Sequence, residues 1–155
     1  MATIFDGLGH VAIKVNDLDA SLAFYEKLGF PEILRLLDKA GEPWIVYLRV
    51  SDATLLELFP GGAGTPVPGP EATGVNHLSL AVQDLDATEA ALAAAGVALS
   101  RPRSAGRGLD GNRGMWIEDP DGNRIEIMEM APDCIQARAL ARLRAGEPPE
   151  ALALY

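Results

Sequence analysis

A stretch that occurs twice constrains this chain more than any other feature. Leu8–Ala20 reads Leu-Gly-His-Val-Ala-Ile-Lys-Val-Asn-Asp-Leu-Asp-Ala, and Val75–Ala87 reads Val-Asn-His-Leu-Ser-Leu-Ala-Val-Gln-Asp-Leu-Asp-Ala. His10 and His77 are the only two histidines, and they hold the same place in the two copies (77 − 10 = 67). Val15 and Val82, Asp17 and Asp84, and Gly29 and Gly96 keep that offset. An internal repeat fixes architecture before any single element is assigned.

Each copy opens with strand-like alternation. From Gly9 to Val15, Val11, Ile13 and Val15 share one face, with His10, Ala12 and Lys14 on the other. Asp17 and Asp84 are good helix N-caps, and Gly29 and Gly96 are natural terminators. In the first half, strands are expected at Glu32–Leu37, Trp44–Val50 and Thr54–Phe59. Residues 60–74 hold Gly or Pro at more than half their positions and read as a linker. In the second half, strands are expected at Val75–Val82 and Val97–Ser100. A hairpin of Gly114–Glu118 and Asn123–Met130 follows, turning at Asp119-Pro120-Asp121-Gly122. Pro132 and Asp133 then open a last helix to about Ala145. Cys134, at its start, reads as structural.

The expected fold class is therefore α+β. Two paired βαβββ modules form a curved, cup-shaped mixed sheet with helices outside, plus a C-terminal helix. The chain, 1–155, reads as a single domain with modules at 1–59 and 75–130, the linker at 60–74, and a helix and tail at 131–155. One module alone exposes too much of its sheet, so two must pair within a chain or between chains.

Alternation also gathers the chemistry. Leu56 and Leu58 share a face opposite Glu57, and Ile125 and Ile127 a face opposite Glu126. If the aliphatic faces pack on helices, His10, Glu57, His77 and Glu126 project to the concave side. Inward carboxylates are costly unless paired or bound to a cation. Two imidazoles with two carboxylates suit zinc, nickel, cobalt, manganese or ferrous iron, with open positions for a substrate. One divalent ion per site is expected.

Charge excludes other classes. The net charge of −9 argues against a nucleic-acid partner. No apolar run approaches membrane-spanning length, and the first residues lack a signal-peptide pattern, so a cytoplasmic protein acting on a small molecule is expected. The single cysteine excludes an internal disulfide. Arg101, Arg103, Arg107 and Arg113 cluster in a Gly-containing loop. From that loop and the strands around it, Arg103, Arg107, Arg113, Trp116 and Met128 are the candidate substrate-binding residues.

The motifs Gly9-His10-Val11-Ala12-Ile13-Lys14-Val15, Asp17-Leu18-Asp19-Ala20-Ser21-Leu22-Ala23-Phe24-Tyr25, Asn76-His77-Leu78-Ser79-Leu80-Ala81-Val82 and Asp119-Pro120-Asp121-Gly122-Asn123-Arg124-Ile125-Glu126 resemble the vicinal oxygen chelate superfamily. The resemblance runs from about Leu8 to Met130. Its glyoxalase I and epimerase members use four metal ligands of His, Glu or Gln, His and Glu type. Dioxygenases use two His and one Glu.

Since Glu57 fills the fourth position, the sequence is most similar to the glyoxalase I-like branch. That resemblance implies a lactoylglutathione lyase-like enzyme. It would carry out enediolate chemistry on a small α-oxo or α-hydroxycarbonyl compound, such as a thiol hemithioacetal. His10 and His77 would hold the metal, Glu126 would be the base, and Glu57 the second candidate for it. A homodimer is also implied. The alternatives are an Fe(II) extradiol-type dioxygenase, a methylmalonyl-CoA epimerase-like enzyme and a metal-free drug- or metabolite-binding resistance protein. The epimerase's usual His-Pro pair before the last strand is replaced here by Asp-Pro-Asp-Gly-Asn.

Overall fold

The computed structural model describes residues 4–153. Met1–Thr3, where the signal-peptide reading begins, lie outside the described residues, as do Leu154 and Tyr155. The chain divides into two compact units. The first runs up to Glu71 and includes Asp119–Asn123; the second takes Ala72–Glu118 and everything from Arg124 on. Between them they have the expected α+β class, with a four-stranded and a three-stranded sheet.

In the first unit, β1 (His10–Lys14) leads to α1 (Leu18–Lys27), then to β2 (Glu32–Leu37), β3 (Pro43–Arg49) and β4 (Leu55–Phe59). The sheet order is β1-β4-β3-β2, with β1 parallel to β4 and the other pairs antiparallel. Asp17 caps α1 as expected, its carboxylate accepting from Ala20 N–H at 3.0 Å. Gly29 ends the helix region with φ +79°, a conformation that a side chain would strain. Val15, Tyr25, Val46, Leu48 and Leu58 are fully buried and form the core.

The linker starts anchored rather than loose. Asn16 Oδ1 accepts from Gly64 N–H at 2.7 Å, and Gly62 N–H donates to Val15 O at 2.9 Å. A Cβ at Gly62 would collide with the Asn16 amide and approach its backbone nitrogen to 3.0 Å, so the close crossing requires glycine.

The Asp119–Asn123 turn is built on one buried carboxylate. Asp119 Oδ1 accepts from Asp121 N–H (3.0 Å) and Asn123 N–H (2.8 Å); Oδ2 accepts from Asn123 Nδ2 (2.8 Å) and the Tyr25 hydroxyl (2.8 Å). Burial, and then the Asp119 charge, push the Tyr25 phenol far above its ordinary value, so it remains a donor. Tyr25→Phe removes one of four donors to a buried carboxylate. It should cost about 1.5–3 kcal/mol, read as a lower urea midpoint at unchanged slope. An unchanged midpoint would show that the other three donors suffice.

In the second unit, β5 (Leu78–Ala81) leads to α2 (Leu85–Ala94), then to β6 (Arg113–Glu118), β7 (Arg124–Glu129) and α3 (Ile135–Arg144). The order is β5-β7-β6, with β5 parallel to β7 and β6 antiparallel to it. Asp84 repeats the cap of Asp17, accepting from Ala87 N–H at 2.9 Å. Leu85, Met115, Ile117, Ile125 and Cys134 are fully buried.

Three local expectations change. β5 starts at Leu78, so His77 stands just before the strand. Val97–Ser100 forms no strand; Ser100 N–H donates to Trp116 O (2.8 Å) without a ladder, which leaves this sheet with three strands. The last helix opens at Ile135 rather than at Pro132 and Asp133, and its cap is Cys134, whose Sγ accepts from Ala137 N–H at 3.3 Å. Among the described residues, no helix is long and apolar enough to cross a membrane.

Candidate functional site

The two units build the same side-chain arrangement at the same register. In the first, Glu57 of β4 lies between Ala12 of β1 and Tyr47 of β3. In the second, Glu126 of β7 lies between Ser79 of β5 and Trp116 of β6. His10 is two residues before Ala12, and His77 two before Ser79. Parallel pairing therefore sets each histidine diagonally across from its glutamate. His10 Nδ1 is 3.7 Å from Glu57 Oε1, and His77 Nε2 is 3.6 Å from Glu126 Oε2.

The strand alternation behaves as expected around both carboxylates. Leu56, Leu58, Ile125 and Ile127 are buried on the opposite faces. The Glu57 side chain is 10% exposed and that of Glu126 25%. The Glu57 carboxylate makes no hydrogen bond among the described residues, and the basic group beside it is His10. A carboxylate so enclosed is costly without a cation.

The His77 ring has a side-chain partner on each side: Asn76 Oδ1 lies 2.9 Å from Nδ1, while Nε2 faces Glu126. An outer partner that fixes the ring in this way is a regular companion of a metal-ligating histidine. The Trp116 ring packs edge-on against the His77 ring, with centroids 4.9 Å apart.

Each pair fits two ligands of a divalent ion. Ligands about 2.0–2.2 Å from a common ion stand roughly 3–3.5 Å apart, and these pairs are only slightly wider. Among the described residues of either unit, no third His, Cys, Asp or Glu joins a pair to make a closed site.

The arginines of the 101–113 loop divide sharply. Arg103 binds Asp86 (2.6 Å) and Glu89 (2.5 Å), and Arg107 binds Asp133 (2.8 Å). Arg113 binds Asp86 (2.7 Å) and Glu129 (3.3 Å). Arg113 and Arg103 together hold the Asp86 carboxyl below the usual carboxylate range. Arg101 instead places its guanidinium 4.5 Å over the Trp116 ring. A cavity of about 220 Å³ lies against these groups, lined by Arg101, Asn112, Arg113, Trp116, Glu126 and Met128 among others. Three of the expected substrate-binding residues, Arg113, Trp116 and Met128, thus line one cavity with Glu126, while Arg103 and Arg107 do not.

Arg101 was the residue missing from that set. In the sequence it is one of four loop arginines. Only the Ser100–Trp116 hydrogen bond, which brings it beside the β6 aromatic, distinguishes it.

The floor of the loop is a satisfied polar cluster. Buried Asn112 donates to Asp110 (2.8 Å) and Gln136 (2.9 Å) and accepts from Ala131 N–H (3.0 Å). Hydrogen bonds from Gln136 and Asn112 hold the Asp110 carboxyl below its ordinary range. A lowered folded-state value stabilises above the unfolded value of about 4. That contribution should fade as pH falls below about 4, and Asp110→Asn should flatten the acid limb of a stability–pH profile.

Comparisons with known proteins agree with this fold. Residues 7–127 match the model of the Glyoxalase/Bleomycin resistance protein/Dioxygenase superfamily. The chain is 32% identical over 122 residues to the uncharacterized protein YaeR of Escherichia coli (strain K12), covering 77% of this chain and 93% of that one. It is 30% identical over 126 residues to the lactoylglutathione lyase of Haemophilus influenzae, covering 77% and 90%. Among solved structures, the glyoxalase family protein from Enterococcus faecalis superposes with a TM-score of 0.71 at 28% identity, covering 82% of this chain and all of that one (100%). The repeated strand–helix–strand units, the duplicated His–Glu pairing and these matches together mean that the chain belongs to the glyoxalase/bleomycin resistance protein/dioxygenase (vicinal oxygen chelate) superfamily.

Proposed function

We propose that this protein is a metal-dependent lyase or isomerase of glyoxalase I type, acting on a small α-oxo or α-hydroxycarbonyl compound such as a thiol hemithioacetal. One observation carries the reading: a His–Glu pair built twice at the same strand register, one carboxylate enclosed without a hydrogen bond. In this reading His10, Glu57, His77 and Glu126 are the ligands of one divalent ion, two from each unit. The units would come from one chain or from two chains of a homodimer. Glu57 is the fourth ligand, which favours isomerisation over oxygen chemistry.

The ion, when bound, supplies Lewis acidity that acidifies the C–H beside a chelated carbonyl. The rest falls to the protein. Glu126, on the cavity wall, accepts the proton from one carbon and returns it to the neighbouring carbon as general base and then acid. Glu57 is the second candidate for that transfer. Asn76 fixes the His77 ring, and Trp116 shields it from water on one side.

The test is isomerisation of the hemithioacetals of 2-oxoaldehydes with several thiols, followed as thioester formation with nickel, zinc, cobalt, manganese or ferrous iron supplied. Metal-dependent turnover, abolished by chelation and restored by the ion, is expected. A protein that holds metal yet turns over no such adduct would overturn the assignment.

A further inference from the structure

The cavity beside Glu126 has a cation on its wall whose role in the site is open. Of the four loop arginines, Arg103, Arg107 and Arg113 are each bound to carboxylates. Arg101 has no carboxylate partner among the described residues. Its guanidinium carbon lies over the Trp116 ring, 4.5 Å from the centroid, a cation–π contact that holds the cation in place without neutralising its charge. Trp116 in turn contacts His77, and His77 faces Glu126. Arg101 therefore stands one aromatic ring away from the candidate reaction centre.

The other charges of the cavity set a polarity. Glu126 is on its wall, and Asp110 also lines it, with Asn112 and Gln136 hydrogen-bonded to its carboxylate. Arg113, the second lining cation, is already bound to Asp86 and Glu129, so an anionic group in this cavity is repelled by Glu126 and Asp110 and attracted chiefly by Arg101. A guanidinium edge matches a carboxylate through two parallel hydrogen bonds.

We propose that Arg101 is a specificity-determining residue that binds a carboxylate of the substrate remote from the reacting carbon. The substrate class is then an α-oxo or α-hydroxycarbonyl compound bearing a second, distal carboxylate. This rests on the proposed chelate site only for where the α-oxo end binds.

The test uses Trp116 fluorescence in a Trp44→Phe background, with and without saturating zinc. The probes are 2-oxoglutarate and 2-oxopentanoate, which share a chain length and differ in the distal carboxylate. The dicarboxylate should bind at least tenfold more tightly, and Arg101→Gln should bring the two within twofold at an unchanged melting temperature. A preference below threefold in the protein with Arg101, or one that survives Arg101→Gln, would overturn the inference. If zinc tightens both acids equally but no preference exists, the chelate reading stands and this one falls. If the Arg101-dependent preference exists but zinc changes neither affinity, this one stands and the chelate reading falls.

Discussion

Glu126→Gln should lower kcat for hemithioacetal isomerisation by about 10²–10⁴-fold, the usual contribution of a positioned acid–base group, while the metal stays bound. The two effects separate because an amide oxygen can still serve as a ligand but cannot accept a proton from carbon. Glu126 is set in β7 between Ser79 and Trp116, with Ile125 and Ile127 buried on the other face. Glutamine is nearly isosteric, so the strand should hold its place. The measurement is kcat beside metal content on the same preparation. Unchanged turnover would move the proton transfer to another group, with Glu57→Gln the next variant to compare. Loss of metal along with activity would leave Glu126 as a ligand only and remove the support for its role as the base.

His77→Ala should abolish tight binding of the ion. Loss of an outer hydrogen-bond partner costs about 10–100-fold in metal affinity, and removal of the ligand itself should exceed that. Asn76→Ala, which frees the His77 ring without deleting it, should fall within the smaller range. The side chain of His77 stands before β5 and is one-third exposed (33%), so its truncation should leave the sheet and the buried core of the second unit intact. Competition titrations of the two variants against a chromophoric chelator order the effects. Equal affinity in His77→Ala and the parent protein would remove His77 from the ligand set.

Much of this was legible in the sequence, because the deciding signals were local and duplicated. Asp17 and Asp84 cap their helices in the same geometry, and the turn at Asp119 forms where its residues predict it. The burial of Leu56, Leu58, Ile125 and Ile127 follows from two-residue alternation in strands covered on one face. The His–Glu diagonals also follow from pattern, since the same parallel register is built within each unit.

What the pattern did not reveal depends on which partner wins a contact. Val97–Ser100 has strand-like residues but keeps a single hydrogen bond to β6, too little for a ladder. Cys134 caps α3 although Asp133 is the stronger intrinsic capper, because the chain turns one residue later and buries the sulfur. The arginine loop shows the limit most clearly. Of the four arginines, three are ion-paired and one lies over an aromatic ring, and Asp86, Glu89, Glu129 and Asp133 select which. No spacing rule in the loop encodes that choice.

The most direct test of the central claim is elemental analysis of protein prepared without a metal-binding tag, before and after reconstitution with a divalent ion. The duplicated His–Glu pairs predict about one nickel, zinc, cobalt, manganese or iron ion per four-ligand site. Protein that is empty as prepared and still empty after reconstitution would contradict the chelate site, and the enzyme reading with it.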